Sequence, residues 1–506
     1  MNIHQPDLPI LIVAIPLLFS IVVPVVGRWK RSWCQPLVIV ALALSLLSSV
    51  GVGYRVVVDG PLSYFLGGWD PPWGIEYRVD HLSAFMVLVL SFVSLLGAIY
   101  AGRSIERELP GREPSFYCVF LLLVTGLLGI VVTGDMFNLY VFLEIASLTG
   151  YALISVGEKG AAFSAFRYVI VGTIGACFYL LGVGYLYIVT GSLNMADLSR
   201  VLPELHESRV VLVAFGFLLI GIAMKMALFP LHIWLPDAYT YAPSAVSALL
   251  APLMTKVGAY VMIRIMFGVF DPVFSLEVVP TAALLTSVSV IAILVGCTMA
   301  LAQTDLKRML AYILVAEVGY IALGVGMANR NGLTGAILHI VNDAFMMACL
   351  FFAVGAVVYK TGTRNIHELG NLNRKMPFTM GALVVAGLSV MGVPPLCGFF
   401  SKWYLILGAI DGGQWIFVAV LLASSLLSAI LFFRVIDNAY FGHRHAHDGD
   451  SAPEKVTSPR GETAIDEAPS SMLVPTLAAA LGIAVLGVSS MKIISTMIQY
   501  AVPASF

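Results

Sequence analysis

NLYVFLEIASLTGYALI, residues 138–154, is apolar enough to cross a lipid bilayer, yet it carries a carboxylate, Glu144, near its middle. A helix needs about 20 such residues to span the hydrocarbon core. The rest of the chain is of the same kind: of 506 residues, 59% are hydrophobic and 11% charged. Its mean hydropathy is +0.93. Lipid is therefore the main solvent, and the sequence reads as an all-α polytopic membrane protein. With 28 Lys+Arg against 29 Asp+Glu, the charge balance gives no reason to expect nucleic acid as a partner.

Working outward from Glu144, apolar runs near 8–27, 36–54, 81–101, 115–132, 136–156, 163–190, 209–229, 243–267, 279–302, 308–328, 333–358, 377–408, 413–436 and 472–490 predict about 14 transmembrane helices. The N-terminus lacks a basic flank and a small-residue cleavage site, so its first run is expected to stay as a span. Basic residues gather on one set of alternate loops, around 28–31, 103–112, 159–167, 307–308, 360–375 and 444–460. The opposite loops hold only Arg55, Arg78, Arg200, Arg209 and Arg330. The positive-inside rule then predicts a cell inner (plasma) membrane protein with both termini outside. Residues 55–80 mix β-branched residues with Gly and Pro turns and predict a small outer hairpin. Residues 442–470 are polar and rich in Pro and Ser, a flexible cytoplasmic linker before the last span at 471–506. Its His443, His445 and His447 are read as part of a solvated tail rather than a metal site.

Six cysteines without a C-x-x-C pair, most of them inside apolar runs, argue against an iron–sulfur cluster or a zinc site. The nine histidines offer no pair of haem ligands at matching depth. No cofactor, no metal and no catalytic chemistry of the chain's own are expected. If the protein serves a redox complex, the electrons travel elsewhere.

Its chemistry lies in charges that a bilayer resists. An ionised group at mid-membrane costs at least about 2.5–3.5 kcal/mol on insertion scales, so each must face protein interior or water. Glu144, Lys225, Lys256 and Lys402 sit in the fifth, seventh, eighth and twelfth predicted spans, with Glu317 in the tenth and His339 and Asp343 in the eleventh. A desolvated lysine holds its proton weakly and a nearby carboxylate restores the grip, so a carboxylate that moves switches the lysine between holding and releasing. Glu144 with Lys225 is such a candidate switch, and the spaced lysines a candidate proton path. The competing reading is a set of static pairs that only orient helices. Pro230 and Pro236 follow Lys225, and Pro394 and Pro395 precede Lys402, so both spans are predicted to be broken, with carbonyls that need polar partners. Two broken, lysine-bearing helices in two halves of one chain suit an inverted-repeat transporter.

The segments TGDMFNLYVFLEIASLTGYALI, KMALFPLHIWLPDAY, APSAVSALLAPLMTKVGAY, DLKRMLAYILVAEVGY and GVPPLCGFFSKW resemble the antiporter-like family shared by respiratory complex I, membrane-bound hydrogenases and Mrp-type cation/proton antiporters. The first and third look most like the Mrp D-type subunit, and the likeness runs over about residues 75–440. It implies fourteen helices with two inverted five-helix repeats, residues 115–267 and 279–440, after N-terminal spans in 1–114. It further implies a proton path through Glu144, Lys225, Lys256 and Lys402; beside it His232, Glu317, His339 and Asp343 are read as auxiliary groups. The implied role is a proton-translocating subunit of a larger complex, whose partners are other membrane subunits, lipid, protons and sodium or potassium. Driven by a redox reaction instead, it would be the pumping arm of a quinone reductase or hydrogenase; a non-conducting scaffold is the third reading. One departure stands out. Where relatives read roughly HxxNHAxxK, this chain has His339, then Asp343 for the second histidine and Met347 for the lysine.

Overall fold

A computed structural model, which describes residues 8–441 and 465–506, shows a helical membrane protein. Its long helices are α1 (Leu8–Trp29), α2 (Cys34–Asp59), α3 (His81–Glu108), α4 (Glu113–Val132), α5 (Met136–Ser155) and α6 (Ala161–Thr190). A short α7 (Met195–Val201) precedes α8 (Arg209–Lys225), α9 (Leu235–Tyr241), α10 (Ser244–Arg264), α11 (Thr281–Leu301), α12 (Leu306–Gly326) and α13 (Arg330–Thr361). The one-turn α14 (Leu372–Lys375) leads into α15 (Pro377–Met391), α16 (Cys397–Asp411), α17 (Trp415–Phe441) and α18 (Ser470–Ile493). Among the described residues, twelve helices are long and apolar enough to cross a membrane. The seventh and twelfth expected crossings are not among them, because each is two short helices, α8/α9 and α15/α16, joined by segments that hold Pro230 in one case and Pro394 and Pro395 in the other. The three histidines at 443, 445 and 447 and nearly all of the polar linker lie outside the described residues.

The expected hairpin is present as β1 (Leu62–Phe65) paired antiparallel with β2 (Glu76–Val79). It is tied down by the buried Glu76, which accepts from Ser63 Oγ (2.7 Å) and Asn194 Nδ2 (2.8 Å). One capping arrangement occurs twice. Asp135 caps α5 by accepting from the Asn138 N–H and makes a β-bridge with Asn194. Asp305 caps α12 through the Arg308 N–H and makes the same bridge with Asn365. Burial pushes the Asp135 carboxyl above its usual range, against the backbone N–H groups of Asn138 and Phe137, which pull it down.

In lipid, helices associate by close packing rather than by the hydrophobic effect, so small residues mark the tight seams. At the α6/α8 crossing, a Cβ built on Gly221 would lie 2.6 Å from the Gly175 carbonyl oxygen and 2.8 Å from the Tyr179 nitrogen. Gly216, on the same helix, has open space around it. Gly221→Val is therefore expected to destabilise the protein by about 1–3 kcal/mol or more of overpacking. Thermal unfolding of the purified protein in detergent checks this, with Gly216→Ala expected to keep the midpoint or raise it slightly. At the centre runs α13, in which every residue from Gly332 to Val357 is buried. It packs on α3, α10, α12, α15, α16 and α18.

Candidate functional site: a buried row of ion pairs

The break after α8 builds the first pair. Lys225 ends that helix, where the unpaired carbonyls of the last turn favour a cation. Its ammonium is 3.1 Å from Glu144 Oε1 and donates to Ser147 Oγ at 2.7 Å. Ser147 lies three residues after Glu144, so α5 presents both groups on one face. Lys225 is 4% exposed and the Glu144 side chain 23%, so the pair sits at the edge of the protein interior rather than deep within it. Of the carbonyls that the break frees, Met224's accepts from the Trp234 indole at 3.2 Å. A cavity of about 20 Å³ beside Lys225, walled by Met254, Val257 and Gly258 of α10, has room for about one water molecule.

On the far side of α10, Lys256 approaches Asp343 Oδ2 to 2.5 Å, and both side chains are fully withdrawn from solvent, at 1% and 0% exposure. The lysine also donates to the Ala251 carbonyl at 3.0 Å. His339 and Asp343 lie one turn apart on α13, which directs both toward the centre. His339 Nε2 is 2.8 Å from Glu317 Oε2, and its Nδ1 is 2.9 Å from Ser401 Oγ. Both Asp343 carboxylate oxygens and Glu317 Oε2 lack an aligned hydrogen bond. Their close approach to Lys256 and His339 is that of buried ion pairs.

Lys402, 4% exposed, lies one residue beyond Ser401. It donates to the Val390 carbonyl at 2.7 Å, which caps a carbonyl freed where α15 ends before Pro394 and Pro395. Its ammonium also sits 4.6 Å from the Tyr320 ring centroid and 3.4 Å from the Tyr320 hydroxyl. Tyr320 meets the His339 ring edge-on at 5.3 Å, so it bridges the histidine to the last lysine.

Seven of the residues picked out in the sequence thus fall into one row: Glu144–Lys225, Lys256–Asp343, Glu317–His339, then Lys402. His232 stands apart. It stacks on Phe229 and lines a cavity of about 320 Å³ with Arg167, Arg308 and the Asp237 that pairs with both arginines, at 2.9 and 3.0 Å. Met347 is fully buried one turn beyond Asp343 and adds no charge to the row. Sequence reasoning missed Ser147, Tyr320 and Ser401. Their signal is modest: each lies one to three residues from a picked charge.

Residues 133–428 match the family described as NADH:quinone oxidoreductase/Mrp antiporter, transmembrane. The N-type subunit of the NADH-quinone oxidoreductase of Desulforudis audaxviator is 47% identical over 498 residues, 98% of each chain. The D-type subunit of the Na(+)/H(+) antiporter of Alkalihalophilus pseudofirmus is 34% identical over 415 residues, 81% of this chain and 82% of that one. Among solved structures, a chain of the membrane-bound sulfane sulfur reductase, an archaeal respiratory membrane complex, superposes with a TM-score of 0.88 at 29% identity. That match covers 98% of this chain and 97% of the other.

Proposed function

Since the chain belongs to the NADH:quinone oxidoreductase/Mrp antiporter transmembrane family, we propose that it is the proton-translocating subunit of a multisubunit membrane complex. The observation that carries this reading is the buried row, in which three carboxylates each meet a base, Glu144 with Lys225, Asp343 with Lys256 and Glu317 with His339, before Lys402. Charges withdrawn from water are costly even when paired, and three pairs plus a lysine exceed what helix orientation requires. In the proposed cycle, making and breaking Glu144–Lys225 sets whether Lys225 holds its proton. A proton then moves past α10 to Lys256 and Asp343, on through Glu317, His339 and Tyr320, and leaves from Lys402. Water is the carrier between pairs.

The same reading takes α8/α9 and α15/α16 as one broken crossing each, fourteen in all, in a plasma membrane with both termini outside. The doubled Asp–Asn cap arrangement supports two five-helix repeats, 115–267 and 279–440.

Lys402→Met in the reconstituted complex is expected to leave assembly intact and to stop driven proton transport. Transport at the normal rate excludes Lys402 as the terminal group.

Two drivers suit the row. In the first, the chain is the D-type subunit of an Mrp-type monovalent cation/proton antiporter, as the likeness to the Alkalihalophilus protein supports. In the second it is the pumping arm of a redox complex, which the fuller and higher identity to a quinone oxidoreductase subunit favours, 47% over 98% of the chain. Purifying the native complex decides between them. Proton movement on a sodium or potassium pulse selects the first, and movement on adding an electron donor, with iron–sulfur subunits present, the second.

A further inference from the structure

Lys256, Tyr260 and Arg264 follow one another at four-residue spacing on α10, so a polar stripe leads from the buried row toward the end of that helix. There a cavity of about 300 Å³ opens beside the hairpin, lined by Arg78, Asp80, Thr133, Ser199, Arg264 and Tyr500 among others. A stripe from a proton carrier to an open, polar cavity has the look of a second port. The hydrogen bonds say otherwise.

Arg264 grips Asp80 with both arms, Nη1 to Oδ2 at 2.6 Å and Nη2 to Oδ1 at 2.7 Å. It also donates to Ser83 Oγ at 2.8 Å and to the Tyr260 hydroxyl at 3.1–3.2 Å. Tyr260 spends its only proton on the Val131 carbonyl, 2.9 Å away. Ser83, 2.9 Å from Tyr260 Oη, must then be the donor between the two hydroxyls. Donation therefore runs one way, from Arg264 through Ser83 and Tyr260 into a backbone carbonyl. A proton wire needs every link to accept on one side and release on the other. Arginine releases nothing at any physiological pH, and an amide carbonyl is a dead end.

We propose that Asp80, Ser83, Tyr260 and Arg264 form a proton seal, which keeps protons that reach this cavity away from Lys256. The guanidinium, held against Asp80, releases no proton of its own, and the one-way hydrogen bonds give an incoming proton no path. Asp80 cannot collect protons either: burial raises its carboxyl, but the charge and hydrogen bonds of Arg264 outweigh that and hold it well below the usual carboxylate range. A pump or antiporter needs such a barrier, because a leak from the cavity to the middle of the row would dissipate the gradient it works against.

This inference rests on the relay reading above, so its test reads passive leak separately from driven transport. The intact complex is reconstituted into liposomes, a potassium diffusion potential is imposed without any driver, and proton influx is followed with an internal pH dye. Asp80→Asn/Arg264→Gln removes both ions of the pair, leaving neither unpaired, and is expected to raise influx about tenfold. Arg264→Lys keeps a cation beside Asp80 but one that can release its proton, and is expected to leak more than the unmodified protein. Adding Lys256→Met to the double variant is expected to return the leak to the unmodified level, because the leak runs through the row. If the double variant does not assemble, Arg264→Gln alone takes its place, and its freed Asp80 carboxylate must leak at least as much. Influx unchanged in the neutralised variant overturns the seal, as does a leak that persists with Lys256→Met. A drop in driven transport with no added leak also overturns it and makes the cluster a port. Failure of the relay itself shows elsewhere, as normal driven transport by Lys402→Met.

Discussion

Lys256→Met is expected to abolish driven proton transport and to lower stability by about 3–5 kcal/mol, the cost of removing one partner from a buried ion pair. The figure applies because Lys256 and Asp343 are 1% and 0% exposed, with no solvent to take over the lost attraction. Asp343 is left as a carboxylate near Glu317, and its least costly escape is to bind a proton. Neutralising it as well, in Lys256→Met/Asp343→Asn, is expected to recover most of the stability and none of the transport. Thermal unfolding and proton flux, measured on the same reconstituted samples, separate the two effects. If the double variant transports, the pair is structural and the path lies elsewhere.

Glu144→Ala is expected to reduce driven transport by roughly a hundredfold or more, the usual scale for loss of a positioned proton-transfer group. Its effect on stability should be far smaller than that of Lys256→Met, since the Glu144 side chain is 23% exposed and Lys225 keeps its 2.7 Å bond to Ser147. Glu144→Asp keeps the charge but shortens the reach across a 3.1 Å contact, and should retain part of the rate. An unchanged rate in the alanine variant would falsify the switch.

How far the sequence foretold this depends on the range of the signal. Glu144, Lys225 and Lys402 stood out because a charge inside an apolar run breaks a strong local pattern, and the neighbouring prolines marked both helix breaks. The hairpin was legible for a similar reason, in β-branched residues set between Gly and Pro turns. Pairing across helices was not. Lys256 and Asp343 are 87 positions apart, and periodicity on either helix says only that each faces inward. Glu317 could have been matched with several cations, and only the α12/α13 packing selects His339. Asp80 and Arg264 escaped notice because each lies at a helix end, where charges are ordinary. Only the bidentate grip between them, over 184 positions, sets them apart. The replacement of a histidine by Asp343 stood out from the chain alone as a departure from relatives, and the structure gives that carboxylate a lysine partner.

The continuous burial of α13 from Gly332 to Val357 has a consequence for how this chain can evolve. A helix that touches lipid on one side has positions where any apolar residue will do, and drift accumulates there. This one has no such side: a change of size disturbs the packing on α3 and α10 or on α12 and α16, and a change of charge disturbs the row. In a saturation library selected for function, α13 should be the stretch with the fewest neutral substitutions. The outward faces of α1 and α17 should tolerate many. Adaptation to a different driver must then come from the periphery, around a helix that barely changes.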